Sequence, residues 1–213
     1  MTILREGIFI SIEGLDGAGK STQIKLMEDF FRSRNREVFL TREPGGTKIG
    51  EKIRQIILDK ANHEMAATTE ALLYAASRGQ HVKEIILPAL KEGKVVVSDR
   101  FVDSSIAYQG GGRCLGEESI KMINDFATNG LEPDLTIFFN IDPTISLKRI
   151  KEDEIDRLED EKIDFHKTVY RTYLNLARTN PKRIKIVKAD EDVATISQEI
   201  EKILLGFAQE KGL

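Results

Sequence analysis

A chain of 213 residues with 40% hydrophobic content is long enough to bury a proper core and has the size of one domain, so residues 1–213 are read as a single unit. Thirty-two basic residues against thirty-five acidic ones give a net charge of −3 with no long basic stretch, which argues against nucleic acid; one cysteine, Cys114, excludes an intrachain disulfide and a cysteine-based metal site. No apolar run approaches the roughly 20 residues needed to cross a bilayer and strand character begins within about ten residues of the start, so the expectation is a cytoplasmic protein without a signal peptide or a membrane partner.

Residues 8–12 form an apolar run with strand character that feeds a glycine loop ending in Gly19-Lys20-Ser21. Gly14, Gly19, Lys20 and Ser21 match the phosphate-loop pattern G-x-x-x-x-G-K-[ST] in its strand-loop-helix context. Glycines let backbone N–H groups close around phosphate oxygens, and the helix N-terminus adds partial positive charge. Lys20 reaches the outer phosphates and the Ser21 hydroxyl can ligate magnesium. The expected triphosphate-binding stretch is Gly14, Leu15, Asp16, Gly17, Ala18, Gly19, Lys20, Ser21 and Thr22.

After the loop, Ile24, Met27, Phe30 and Phe31 recur at helical spacing, and residues 37–41 read as a second strand. Thr47 can cap a helix carrying Ile49, Ile53, Ile56 and Ile57, and Thr68 or Thr69 the next, which carries Leu72, Leu73 and Ala76. Residues 82–92 read as helical with a kink or join at Pro88, and Gly93 ends them. Residues 94–98 are a short apolar run typical of a buried parallel strand. A helix over 117–128 precedes a fourth strand at 135–141, and Asp142 caps the helix opened by Pro143 and Thr144. Residues 151–162 are highly charged and poorly periodic, which predicts an exposed, mobile segment. A helix over 163–178, a strand over 183–187 and a helix over 192–207 finish the chain. Strands alternating with helices imply an α/β fold of three layers, a five-stranded parallel sheet with helices on both faces, here the P-loop NTPase fold.

Ligands in such sheets sit at the carboxyl ends of the strands. The chemistry-bearing residues fall there: the phosphate loop, then Arg42 and Glu43, then Asp99 and Arg100, then Asn140 to Asp142. Asp99 occupies the place of a carboxylate that orients magnesium and its waters. Arg42 and Arg100 on strand ends beside Lys20 call for a second phosphate-bearing molecule, since guanidinium forks suit phosphate oxygens. The Asn-Lys-x-Asp pattern of a guanine switch protein is missing, and segment 151–162 behaves like a lid that excludes water from a kinase donor.

Thr41-Arg-Glu-Pro-Gly-Gly46, Tyr74-Ala-Ala-Ser-Arg78, Asp99-Arg-Phe101 and the run Ser104 to Arg113 together resemble the bacterial thymidylate kinases over essentially the whole chain. The resemblance implies transfer of the ATP γ-phosphate to thymidine monophosphate (dTMP), with Mg2+ required and a homodimer built largely from helices. It also implies that Tyr74 stacks on thymine, that Arg78, Ser105 and Gln109 read the base, and that Tyr108 lines the sugar. Arg42, Arg54 and Arg100 surround the acceptor phosphate, and Asp16 and Glu43 lie near the sugar and metal. Lys20, Asp99 and Arg100 are the expected catalytic residues, with Ser21 and Asp99 serving the metal. The lid, residues 148–162, supplies the last positive charge through Arg149 or Arg157, and Lys188-Ala189-Asp190 lies beside adenine. The alternatives are a kinase for another nucleoside monophosphate or a deoxynucleoside, or a nucleotide switch without acceptor chemistry.

Overall fold

Five strands, β1 (Ile8–Gly14), β2 (Val38–Arg42), β3 (Val95–Asp99), β4 (Leu135–Asn140) and β5 (Ile184–Lys188), form one parallel sheet in the order β2-β3-β1-β4-β5. The protein is seen in a computed structural model that describes residues 6–150 and 156–212. Nine α-helices lie among the described residues: α1 (Lys20–Arg32), α2 (Lys48–Leu58), α3 (Ala67–His81), α4 (Leu87–Lys91), α5 (Val102–Ser105), α6 (Glu117–Thr128), α7 (Pro143–Lys148), α8 (Ile163–Thr179) and α9 (Val193–Lys211). This is the expected α/β fold, with helices on both faces of a parallel sheet.

Strand periodicity of two decides which side chains meet which helices. Ile8, Ile10 and Ile12 of β1, Val95 and Val97 of β3, and Ile137 and Phe139 of β4 face α1 and α9, where Met27, Phe31, Ile196, Ile200 and Leu204 close the core. On the other face Phe9 and Val96 pack with Phe101, Ile86 and Leu90, and Phe138 packs with Ile120, Val169 and Tyr173. Each fully buried side chain of this size removes about 1.5–3 kcal/mol worth of apolar surface from water. Ser11 and Glu13 share this second face, so a hydroxyl and a carboxylate sit inside an otherwise apolar layer.

Several boundaries differ from expectation for identifiable reasons. The strands run on to Gly14, Arg42, Asp99 and Lys188, because each carboxyl-end residue still bonds a neighbour; Arg42 pairs with Asp99 and Asp99 with Ile12 in register. Helix α3 starts at Ala67 after Ala66, with no side-chain cap, so neither Thr68 nor Thr69 caps it. Thr47 does cap α2, accepting from Gly50 N, and Asp142 caps α7, accepting from Thr144 N at 2.8 Å. Between α3 and α4 the chain makes a π-helical stretch, Val82–Ile86. Pro88 has no N–H to give the carbonyl four residues back, which fits a widened turn there.

A second π-helical stretch, Ile106–Gly112, follows α5 and lies where no helix was expected, since three consecutive glycines disfavour helix. Their use is close approach: a Cβ on Gly111 would meet Thr172 Oγ1 of α8 at 2.1 Å. Of the expected lid, residues 151–155 lie outside the described residues. Residues 156–162 depart from the exposed segment expected, because Leu158 is buried in the cluster with Leu15 and Tyr108 and Arg157 is buried beside α3.

Candidate active site

Gly19, at φ +84°, immediately precedes α1, whose first turn takes no side-chain cap. The first N–H groups of that helix therefore remain free to face an anion. Gly17 is required for a different reason: a Cβ there would lie 2.2 Å from Ser146 O and 3.3 Å from Arg149 Cβ, so the loop rests against the end of α7. Lys20 is buried, with Nζ donating to Gly14 O at 3.2 Å and Leu15 O at 3.0 Å and standing 3.5 Å from Asp16 Oδ1. Ser21 and Thr22 are exposed on the first turn.

Asp99 lies beside the loop in the sheet, opposite Ile12. Its Oδ1 is buried and has no hydrogen-bond partner among the described residues. A buried, unpartnered carboxylate oxygen is costly unless a cation or its water shell serves it. Together with the exposed Ser21 hydroxyl, this donor set fits a hard, oxygen-ligated cation such as Mg2+. The described residues hold no cluster of three or more His, Cys, Asp or Glu.

Arg100 follows Asp99 with φ +72°, a left-handed conformation that a side chain adopts only when its surroundings impose it. Its N–H donates to Ile12 O at 2.9 Å and its carbonyl accepts from Ser98 Oγ at 2.8 Å. The turn aims the guanidinium at the loop, where Nη2 lies 2.5 Å from Asp16 Oδ2. Nη1 donates to Ser104 Oγ at 3.2 Å, and the guanidinium stands 5.1 Å from the Tyr108 ring centroid. Burial alone would raise the Asp16 carboxyl, but Arg100 and Lys20 outweigh it and hold Asp16 well below the usual carboxylate range. Asp16 raises Arg100 in turn, against the opposing effect of burial.

Beneath this pair lies Glu13, wholly buried. It accepts from Ser11 Oγ at 2.7 Å, Ser104 Oγ at 2.5 Å, Tyr173 Oη at 3.0 Å and Phe101 N at 2.7 Å. Burial, then Asp103, push its carboxyl up to about 7. Sequence reasoning passed over Glu13, although a carboxylate inside an apolar strand was a usable signal.

A crevice opens from Asp16 and Arg100 toward α3. Its walls include Glu43, Arg54, Tyr74, Ser105, Tyr108 and Gln109, all expected there, and Asp156, Leu158 and Glu159, which were not. Glu159 is pushed up to about 9, first by burial and then by Asp156 and Asp16. Arg42 and Arg54 both donate to Pro44 O at 3.0 Å, which sets two cations side by side at the crevice edge. Burial and then Arg42 lower Arg54. Arg42 itself is half exposed and pairs with Glu51 at 3.1 Å.

Two expected residues sit behind the walls instead. Arg78 is 1% exposed, with Nε donating to Glu43 Oε2 at 2.6 Å, Nη1 to Ser105 Oγ at 2.9 Å and to Asn124 Oδ1, and Nη2 to Phe101 O at 2.9 Å. Four of its five N–H groups are so engaged, leaving one on Nη2. Arg157 is buried, with Nε on Ile57 O at 2.8 Å and Nη2 on Glu70 Oε2 at 2.7 Å. Arg149 differs: it neighbours Gly17, and its Nη1 donates to Ala189 O at 3.0 Å. The structure thus joins the phosphate loop to Arg149 and the turn after β5, and joins Asp16 and Arg100 to the crevice.

A family model described as thymidylate kinase matches residues 12–200. The chain belongs to the thymidylate kinase family. A thymidylate kinase of Lactobacillus delbrueckii subsp. bulgaricus is 56% identical over 195 residues, covering 90% of this chain and 92% of that protein. One of Clostridium novyi is 47% identical over 204 residues, covering 94% and 100%. One of Thermoanaerobacter pseudethanolicus is 48% identical over 195 residues, covering 92% and 96%. The family match begins inside β1 and ends inside α9, so it takes in the phosphate loop, the Asp99-Arg100 turn and the crevice alike. Among the described residues of this thymidylate kinase family member, no helix is long and apolar enough to cross a membrane.

Proposed function

We propose that the chain, acting as one domain, transfers the γ-phosphate of ATP to dTMP, with ATP on residues 14–22 and dTMP in the crevice. The observation that carries this reading is the double position of Asp16, a phosphate-loop residue that is also a crevice wall and holds Arg100 between the two. The kinase reading needs such a meeting point, and a nucleotide switch has no use for it.

In this reading Tyr74 presents its ring to thymine, while Ser105, Gln109 and the remaining Arg78 N–H serve the base edge. Tyr108 flanks the sugar with Asp16 and Glu43. Arg54 and Arg100, with Arg42 at the rim, draw in the acceptor phosphate. A phosphate oxygen of dTMP attacks the γ-phosphorus as the bond to the β–γ bridging oxygen breaks, giving thymidine diphosphate and ADP. The acceptor is already an anion near neutral pH, since a phosphate monoester has its second pKa near about 6, so no strong base is needed. Lys20 and Arg100 lower the repulsion between the two anions and stabilise the transferring group. Arg149, against the loop, adds charge on the donor side. Mg2+, served by Ser21 and Asp99, supplies charge neutralisation on the donor phosphates when bound. The segment with Leu158 and Glu159 closes the crevice against water.

The apolar face formed by α2, α3 and α6 fits a homodimer. Phe126 is 91% and Met122 67% exposed on α6, and Leu72 on α3 and Ile49 and Ile56 on α2 are exposed too, with α2 packed against α3 and α3 against α6. Large exposed apolar side chains on three neighbouring helices are what an interaction surface presents.

The test is thermal stabilisation by each nucleoside monophosphate with and without a non-hydrolysable ATP analogue, followed by an ADP-release assay with the best one. A specific ligand raises apparent stability according to its affinity. The expected result is the largest shift and fastest turnover with dTMP; a larger shift and faster turnover with another monophosphate would sink the assignment.

A further inference from the structure

Glu70 lies in the first turn of α3, wholly buried, behind the crevice wall and not in it. Three side chains converge on its carboxylate: Gln109 Nε2 donates to Oε1 at 2.9 Å, Arg113 Nη2 to Oε2 at 3.1 Å and Arg157 Nη2 to Oε2 at 2.7 Å. Arg113 is held in turn by Glu161, 2.5 Å from its Nη1, and Arg157 by Ile57 O. The phosphoryl-transfer scheme above gives Glu70 no task. Burying the Glu70 carboxylate and the Arg157 guanidinium, with Arg113 partly buried against them, is costly, and an apolar cluster of the same volume packs as well or better.

Gln109 supplies the task. An amide side chain donates from one end and accepts at the other, and half a turn about its last bond exchanges the two. A carboxylate only accepts, so beside Glu70 the amide has a single tolerable orientation, with Nε2 inward. Gln109 also lines the crevice, and its amide oxygen receives no hydrogen bond from the described residues.

We propose that Glu70 is a positioning residue for base selection: it locks the Gln109 amide with its oxygen toward the base, so that the crevice selects a pyrimidine with an N–H at ring position 3. Thymine and uracil carry that donor, and cytosine presents a lone pair there instead. A site built to accept a hydrogen bond from an N–H rejects a base that lacks it much more strongly than a pocket rejects a small change of size. Arg113 and Arg157 compensate the buried charge that makes the lock one-way. This inference rests on the crevice being the dTMP site.

The test measures kcat and KM for dTMP, dCMP and ATP in wild type, Glu70→Gln, Gln109→Ala and the double variant. A glutamine at position 70 both donates and accepts, so it tolerates either orientation of Gln109. Glu70→Gln should lower the kcat/KM preference for dTMP over dCMP by about tenfold or more, the difference between a charge-assisted and a neutral hydrogen bond. KM for ATP should not change, and Glu70→Gln added to Gln109→Ala should cost no further preference. An unchanged preference, or independent additive losses in the double variant, overturns the proposal. Wild type is assayed first: turnover favouring another monophosphate would fault the dTMP site itself, whereas dTMP preference that survives Glu70→Gln faults only the role of Glu70. If Glu70→Gln does not fold, wild-type binding of N3-methyl dTMP decides the matter. It should bind at least about tenfold more weakly than dTMP, and equal binding overturns the proposal.

Discussion

Arg100 Nη2 lies 2.5 Å from Asp16 Oδ2, and this contact ties the turn after β3 to the phosphate loop at the point where the two phosphates of the proposed reaction would meet. The left-handed Arg100 backbone and the four-donor cradle of Glu13 beneath it hold the pair in register. Asp16 is kept ionised by Arg100 and Lys20, so it should not titrate across any practical assay range. The acid limb of log(kcat/KM) for dTMP should therefore lie near about pH 6, where the acceptor phosphate takes up its proton. Asp16→Asn should lower kcat/KM by about tenfold or more at every pH, as loss of a positioning ion pair does, and leave that limb in place. Disappearance of the limb in the variant would assign it to Asp16 instead.

Lys20→Met should keep the fold and lose turnover. The glycines of the loop and its packing on α7 do not depend on the ammonium, so the variant gives up only the two bonds from Nζ to Gly14 O and Leu15 O and keeps the surrounding structure. Removing a preorganised cation from a transferring phosphoryl group costs about 10²–10³ in kcat. Circular dichroism and a thermal melt check the first half, and ADP release the second; near-normal turnover contradicts the donor site.

The two arginines expected on the lid should separate cleanly. Arg149 stands against Gly17 and the turn after β5, so Arg149→Ala should lower kcat more than it raises KM for dTMP. Arg157 is spent on Glu70 and Ile57 O, so Arg157→Ala should destabilise the chain by about 1–3 kcal/mol, the cost of leaving buried polar groups short of a partner. A kcat effect confined to Arg157→Ala would reverse the assignment.

How far the sequence could be read follows from the range of each interaction. The strands, the loop and helices α1, α2 and α6 were legible because hydrophobic period, glycine placement and Thr47 are local signals. Arg42, Asp99 and Arg100 were legible as strand-end residues, because a parallel sheet delivers its carboxyl ends to one edge. The resemblance set Arg78 at the base and Arg157 on the lid, yet each finds strong partners far along the chain: Asn124 for one and Glu70 for the other. No periodicity carries such pairings. Nothing local in the sequence marks Glu70, whose partners Gln109, Arg113 and Arg157 all come from distant segments.

Glu13 gives the fold a pH dependence whose sign is fixed by its environment. Its carboxyl rises from 4.5 to about 7, so the folded chain holds this proton more tightly than the unfolded chain does. The resulting stabilisation is fully present below about pH 4.5 and is lost as pH rises through about 7. Glu13→Gln removes the titration while keeping an acceptor for Phe101 N and a group that can bond the three hydroxyls. Denaturant melts at steps from about pH 5 to 8 should show the difference in stability moving steadily in favour of the variant as pH rises. A difference that stays constant across those steps would mean that Glu13 does not change its charge there.

Phe126, almost fully exposed on α6, tests the proposed homodimer without touching the crevice. In the free chain its ring costs hydration and gains no packing, so Phe126→Glu should be neutral for folding within about 0.5 kcal/mol, as for surface positions in general. Across a twofold interface the same change puts two carboxylates into an apolar patch, each needing solvent that the interface excludes. Sedimentation velocity should show a dimer for wild type and a monomer for Phe126→Glu at the same concentration. Because α3 carries Tyr74 on the crevice side and Leu72 on the outer side, dissociation should also loosen the wall proposed to stack on thymine, raising KM for dTMP more than KM for ATP. A variant that sediments as wild type does would move the interface away from α6.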